Sequence, residues 1–196
     1  YADIAHTRVK ELEAQLKLTS ERSKAICKQV VLQGNSAEVE KLWNTYSLPL
    51  VDFVITSPPY GPMLNKKGLA AQEREEEGLD VKYSDDPADL GNASSYEDFL
   101  QRLVTIFVKM KPTIKEGGYL VVILQNYMDK GDYKTLAWDF AKEMTKHYQL
   151  RGERMWLQDN KTLYPYGYRY SFVPNVHHHY CLVFKKKGDS HENNLL

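Results

Sequence analysis

The chain has 196 residues and a formal net charge of zero, with 26 Lys and Arg against 26 Asp and Glu. The length fits one domain, and a hydrophobic fraction of 42% excludes a disordered chain. No apolar run approaches the roughly 18–20 residues of a membrane helix, and zero net charge argues against holding nucleic acid by bulk electrostatics alone.

The two cysteines, Cys27 and Cys181, do not make a disulfide framework. The first 15 residues are charged and helical in pattern, unlike a secretory signal peptide. The sequence therefore predicts a protein of a reducing compartment.

The amino-terminal part predicts helix and strand in alternation. Apolar residues at positions 5, 9, 12 and 16 favour a helix, and residues 29–32 are a short apolar run that favours a strand. Residues 36–43 favour a helix with Ser36 as its N-cap, and residues 51–55 favour a buried strand stopped by two prolines. The polar residues 62–92 are too long for a simple connector and are interpreted as a lid or insertion loop.

The carboxyl-terminal part continues the alternation. It predicts a helix over 99–110, a strand over 119–124 that follows a turn at Gly117 and Gly118, a helix over 136–144, and strands over 152–157 and 180–184. Residues 188–196 form a polar tail. This order indicates an α/β fold with a mostly parallel sheet covered by helices on both faces, in which ligands bind at the carboxyl ends of the strands.

The most informative stretch follows the strand at 51–55 and consists of Thr56, Ser57, Pro58, Pro59, Tyr60 and Gly61. Consecutive prolines fix the backbone and leave nearby carbonyl groups without a local amide donor. The serine adds a hydroxyl group and the tyrosine adds a flat ring. A rigid set of acceptors beside an aromatic ring suits a planar heterocycle with an exocyclic amino group.

These residues resemble the (D/N/S)-PP-(Y/F/W) motif of S-adenosylmethionine-dependent amino-methyltransferases. The TSPPY form is most typical of DNA cytosine-N4 methyltransferases, whereas adenine-N6 enzymes more often carry DPPY. Residues 30–43 resemble the family's G-(D/N)-(A/S/C) block, residues 117–124 its next block, and residues 163–186 its final hairpin region. The resemblance covers most of residues 1–187.

The resemblance implies a Rossmann-like class I methyltransferase fold with a late antiparallel hairpin. It also implies S-adenosyl-L-methionine as the cofactor and a flipped-out DNA base as the substrate. The residues that it assigns are Ser57, Pro58, Pro59 and Tyr60 for catalysis, Gly34, Asn35, Ser36 and Thr56 for the cofactor, and Tyr60, Gly61, Asn126, Tyr166 and Arg169 for the substrate. Tyr60 would stack on the base, while Ser57 and the Pro58 carbonyl would hold its amino group and the adjacent ring nitrogen.

The chain also departs from this family. Asn35 replaces the commoner aspartate, and no F-x-G-x-G cofactor loop followed by an acidic residue occurs in the sequence. We therefore expect residues 1–187 to be a partial catalytic domain lacking its first strands, with the loop and the target-recognition part supplied by the remainder of its polypeptide. The alternatives are an adenine-N6 or RNA base methyltransferase, and an inactive methyltransferase-like subunit that binds nucleic acid. The family further implies a cytoplasmic, nucleoid-associated protein of a prokaryote.

Other polar and aromatic residues have less specific interpretations. His177, His178 and His179 are expected on a strand surface, and with no residues spaced to complete a site no metal is expected. The three tryptophans are expected in the core. Residues 125–127 follow a strand and fit pocket lining and loop capping equally well. Residues 162–175 are aromatic with one arginine and fit a DNA-facing loop and a hairpin packed over the sheet equally well. The basic region from 151 to 187 is the candidate DNA face.

Overall fold

The computed structural model describes residues 2–18, 29–61, 76, 86–129, 131–159 and 176–188. Within these residues the helices are α1 (Ala2–Leu18), α2 (Val39–Thr45), α3 (Tyr96–Met110) and α4 (Leu136–Met144). The strands are β1 (Val51–Thr56), β2 (Ile114–Leu124), β3 (Tyr127–Asp129), β4 (Asp132–Lys134), β5 (Gln149–Leu157) and β6 (His178–Lys185).

Four of these strands form one mixed sheet in the order β1-β2-β6-β5. The pair β1 and β2 is parallel, whereas β6 is antiparallel to both β2 and β5. The expected α/β sheet with a late antiparallel hairpin is thus confirmed, although only one of the three strand pairings in this four-stranded sheet is parallel. Because β6 runs opposite to its neighbours, its amino end lies beside the carboxyl ends of β2 and β5.

Helices α3 and α4 cover one face of this sheet. Their apolar side chains pack on alternate residues of β2 and β6 in a cluster that includes Phe99, Leu103, Phe140, Leu120, Leu182 and Phe184. On the other face, Phe53, Ile55 and Tyr119 remain 53%, 60% and 38% exposed. The expectation of helices on both faces is therefore met on one face within the part of the chain that is described, and β1 is an exposed edge strand rather than a buried one.

The ends of α3 explain why this helix was predictable. The Ser95 side chain accepts a hydrogen bond from the Asp98 amide at 3.0 Å and caps the first turn. The side chains of Phe99, Leu103 and Phe107 recur at four-residue spacing and are all buried. Pro112 lies in the single turn Lys111–Thr113 that ends the helix, as expected.

Three local predictions were wrong. Residues 29–32 form no strand, because an extended segment needs a neighbour for its backbone groups and the described residues pair none with it. The turn before α2 is capped by Asn35, not Ser36: its Oδ1 accepts from the Ala37 amide at 2.9 Å.

The third wrong prediction concerns Gly117 and Gly118, which lie inside β2 instead of forming a turn before it. The register against β1 shifts there, since Val51 pairs with Ile114 and Phe53 with Tyr119. Gly117 has a φ of +73°, and a Cβ on Gly118 would lie 2.9 Å from the Lys115 carbonyl oxygen. The two glycines therefore permit a bulge in a continuous strand.

Two of the tryptophans also depart from expectation. Trp138 and Trp156 are 52% and 54% exposed rather than buried in the core. Trp43 is half-buried, and its Nε1 donates to the Pro49 carbonyl at 3.0 Å. Among the described residues, no helix has the length and apolar character needed to cross a bilayer.

Candidate active site

The segment Ser57 to Gly61 leaves the sheet at the carboxyl end of β1. The strand ends at Thr56, which pairs with Val122 near the carboxyl end of β2. Ser57 is exposed, whereas Pro58, Pro59 and Tyr60 are half-buried. The proline-rich motif therefore lies where a parallel pair of strands presents its ligand-binding edge, as predicted.

The hydroxyl group of Tyr60 joins two parts of the chain. It lies 2.8 Å from Oγ of Ser57, within the motif. It also lies 3.1 Å from Nδ1 of His179, a residue 119 positions further along the chain. The two rings are inclined at 49° with their centroids 5.6 Å apart. The motif is thus tied to β6 through one phenolic oxygen.

His179 is itself held in place by the β5–β6 pair. It lies on β6, is 8% exposed, and pairs with Trp156 of β5. The centroids of these two rings are 5.2 Å apart. The prediction of strand-surface histidines is therefore wrong for His179.

No local signal in the sequence marks His179 for this position. Its contact with Tyr60 exists only because β6 enters the sheet antiparallel at the edge where β1 ends. The expected late antiparallel hairpin puts the amino end of the late strand at the edge where the motif lies, and this was the signal that could have placed the residues around 178 near the motif.

Gly61 closes the motif and packs beneath it. It is buried and has a φ of +79°, a conformation that favours glycine. Its neighbour Tyr127 is 5% exposed on β3. Burial, with a smaller contribution from the charge of Asp129, raises the pKa of Tyr127 to about 12. Tyr127 therefore stays protonated at neutral pH and packs against Gly61.

The residues after β2 mainly support the surrounding chain. Gln125 donates from Nε2 to the carbonyl oxygens of Val176 and His178, at 3.3 and 3.1 Å. Asn126 is fully buried, and its Oδ1 accepts from the Ala137 amide at 2.9 Å in the first turn of α4. Its Nδ2 has no partner among the described residues, so a contact with substrate would have to use that nitrogen.

The residues predicted to hold the cofactor lie in two places. Thr56 is half-buried at the end of β1. Gly34, Asn35 and Ser36 enter the turn before α2, which packs against α3. A Cβ on Gly34 would lie 2.5 Å from Cδ1 of Leu42, so this glycine permits close packing on α2.

The remaining predicted features are only partly described. Tyr166 and Arg169 lie outside the described residues, as do most of residues 62–92 and all of 162–175. In the basic region, Nζ of Lys186 lies 2.7 Å from the Ile114 carbonyl and 2.8 Å from Glu116 Oε1. The ammonium group of Lys186 therefore makes its contacts within the protein. The described residues contain no group of three or more His, Cys, Asp and Glu arranged for a metal ion.

Comparison with known proteins finds a matching family and similar solved structures. A family model for DNA methylases of the N6/N4 type matches residues 51–195. The structure of PvuII DNA methyltransferase (cytosine-N4-specific) is similar with a TM-score of 0.52 at 15% identity, over 79% of this chain and 48% of that one. This similarity supports the methyltransferase fold.

Two further structures are similar with lower scores. A candidate DNA modification methylase from Thermus thermophilus, complexed with S-adenosyl-L-methionine, has a TM-score of 0.49 at 21% identity, over 82% of this chain and 56% of that one. The M1.HpyAVI complex with SAM has a TM-score of 0.43 at 14% identity, over 84% and 59% of the two chains.

The chain spans about half the length of these solved structures. No curated protein sequence matches it significantly. Because the family model matches residues 51–195, which include the proline-rich motif and β6, the chain belongs to the N6/N4 DNA methylase family.

Proposed function

We propose that this chain holds the target base of an S-adenosyl-L-methionine-dependent DNA methyltransferase that methylates cytosine at N4. The observation that carries the proposal is the Ser57 to Tyr60 segment, which stands at the carboxyl end of β1 with its serine exposed and its tyrosine anchored. The preference for cytosine rests on the serine in the first motif position, in place of the aspartate that is common in adenine-N6 enzymes.

The motif acts by placing acceptors around an amino group. A paired and stacked base hides that group, so the base has to be flipped out of the duplex. The Ser57 hydroxyl and the Pro58 carbonyl then accept hydrogen bonds, while the half-buried ring of Tyr60 offers a stacking surface. Such bonds draw the amino hydrogens toward fixed oxygens and favour a pyramidal nitrogen with an available lone pair. Catalysis of this kind depends on alignment and preorganised dipoles rather than on a strong base.

Thr56 and Asn35 are the residues of this chain that we propose contact the cofactor. When bound, the cofactor would supply an electrophilic methyl group: the sulfur–methyl bond would break to leave a neutral thioether, and the amino nitrogen would gain the methyl group and release one proton to water. Thr56 offers a hydroxyl group beside the motif, and Asn35 retains its amide nitrogen as a donor while its oxygen caps the turn. Since the sequence contains no F-x-G-x-G loop, we propose that another segment of the protein supplies the loop and the acidic residue that binds the ribose.

Nucleoside mass spectrometry tests the proposal. DNA is incubated with the full-length protein and S-adenosyl-L-methionine, digested, and analysed for methylated nucleosides. We expect N4-methyldeoxycytidine. N6-methyldeoxyadenosine would overturn the cytosine assignment, methylation of RNA alone would overturn the DNA assignment, and no product from either would favour an inactive subunit.

Variants of Tyr60 test the role of the motif in the same assay. Tyr60→Ala removes the ring and the hydroxyl that ties the motif to β6, so we expect a lower melting temperature and, in the protein that is still folded at the assay temperature, no methyl transfer. Tyr46→Ala is a matched control, because Tyr46 is an exposed tyrosine that lies outside the motif. Methyl transfer by Tyr60→Ala at the wild-type rate would contradict the stacking role.

A further inference from the structure

We propose that His179 is a positioning residue that sets the direction of hydrogen bonding through Tyr60, and so makes Ser57 an acceptor for the amino group of the target base. This inference rests on the proposed function and deepens it, because it names a residue outside the motif that directs the hydroxyl group of Ser57.

The argument begins with the single proton of the tyrosine hydroxyl. That hydroxyl lies within hydrogen-bond distance of Ser57 Oγ, at 2.8 Å, and of His179 Nδ1, at 3.1 Å. Neutral histidine protonated on Nε2 presents a lone pair at Nδ1. The proposal assigns this tautomer to His179, so that Tyr60 donates its proton to Nδ1 and its oxygen accepts the proton of Ser57.

The consequence falls on the exposed serine. With its own proton directed at Tyr60, Ser57 Oγ presents only lone pairs to an incoming base. An exocyclic amino group carries two N–H donors and is complementary to such an oxygen. If the two hydrogen bonds ran in the opposite direction, Tyr60 would donate to Ser57. The Ser57 proton would then point toward the amino group of the base and would oppose the hydrogen bond that activates the nitrogen.

The structure holds His179 firmly enough for this task. Its ring is buried against Tyr60 and Trp156, with centroid distances of 5.6 and 5.2 Å. Its backbone lies in the antiparallel pairing of β6 with β2 and β5. An acceptor fixed by a sheet keeps its direction when the substrate arrives, which is what preorganisation of a hydrogen-bond chain requires.

A double-mutant cycle in the full-length protein tests the inference. Single-turnover methyl transfer is measured at saturating DNA and cofactor for wild type, His179→Leu, Tyr60→Phe and the double variant. We expect His179→Leu to slow methyl transfer about tenfold, with little change in DNA affinity, because one directed hydrogen bond is lost in the transition state. In the Tyr60→Phe background the same substitution should have no further effect, because the hydroxyl through which His179 acts is gone.

Conservative variants keep the test valid if His179→Leu does not fold. Asn places an acceptor oxygen near the position of Nδ1, whereas Gln places it near Nε2. We expect His179→Asn to retain most of the rate and His179→Gln to lose about as much as His179→Leu. His178→Leu is a matched control, because His178 is the adjacent histidine on the opposite face of β6, and it should stay within about twofold of wild type.

The outcomes separate this inference from the proposed function. Absence of methylated product from the wild-type protein refutes the proposed function. An active wild type with an equally active His179→Leu overturns the inference alone. So does an equal effect of His179→Leu with and without the Tyr60 hydroxyl, or an equal loss in His178→Leu, because each would show that the histidine acts through general packing of the strand.

Discussion

Tyr127 lies so close to Gly61 that a Cβ atom added to the glycine would stand 2.5 Å from the phenolic oxygen. The same Cβ would be 3.3 Å from the ring carbon that bears the hydroxyl. Gly61 also has a φ of +79°, which side chains of L residues rarely adopt. Two independent constraints therefore require glycine at the end of the proline-rich motif and fix the motif against β3.

The substitution Gly61→Ala should destabilise the protein and impair methyl transfer. The left-handed backbone alone costs roughly 1–2 kcal/mol, and the clash with Tyr127 adds to it. Gly131→Ala is a matched control, because Gly131 has a φ of +90° but no neighbouring side chain or backbone of the described residues comes within 4 Å of the added Cβ. The difference between the melting temperatures of the two variants measures the contribution of the clash. The double variant Gly61→Ala, Tyr127→Phe should regain part of that difference, and equal melting of Gly61→Ala and Gly131→Ala would contradict the close contact.

The pH dependence of stability should reflect Asp98 in the first turn of α3. The Arg102 side chain, which donates to Asp98 at 2.7 Å, and the Ser94 amide lower the pKa of this carboxyl below its ordinary value of 3.8. A carboxyl with a lowered pKa in the folded state stabilises the fold above its unfolded pKa. That contribution is lost as the pH falls through the folded value.

The variant Asp98→Asn tests this sign. Its melting temperature should be lower than that of wild type at pH 7. The difference in melting temperature should shrink as the pH is lowered through and below 3.8, the ordinary pKa of this carboxyl. Glu97→Gln is the control, since Glu97 is exposed in the same turn. A difference between wild type and Asp98→Asn that stays constant from pH 7 to acid would contradict the assignment.

Local sequence patterns predicted the helices and strands whose formation depends on residues close to one another in the chain. The apolar spacing of α3 and the strand before Ser57 were both predictable, because helix periodicity and proline breaks act over a few residues. The strand expected at 29–32 failed because no local pattern supplies a partner strand. The contact between Tyr60 and His179 was not predicted, since it spans 119 positions. The late antiparallel hairpin expected from the resemblance gives the direction of β6, but not the register that brings His179 to the motif.

Lys186 should contribute to stability rather than to DNA binding. Its side chain is only 12% exposed and bonds the Ile114 carbonyl and Glu116. We expect Lys186→Gln to cost about 1–2 kcal/mol and to leave the salt dependence of DNA binding unchanged. Arg151→Gln removes an exposed charge of the same basic region and should reduce the slope of log affinity against log salt by about one. Binding titrations at several salt concentrations check both, and a smaller slope for Lys186→Gln would contradict its internal role.

Asn126 offers a test that separates support of the fold from contact with the base. Its Oδ1 accepts a hydrogen bond from the Ala137 amide in the first turn of α4, and the side chain is fully buried. Asn126→Ala leaves that amide without its partner, so we expect a loss of about 1–2 kcal/mol in the free energy of unfolding. At a temperature well below melting, the rate of methyl transfer should stay within about twofold of wild type, because support of the helix is the only role that its oxygen performs among the described contacts. A fully folded Asn126→Ala protein with a much lower rate would instead assign the buried Nδ2 to the substrate.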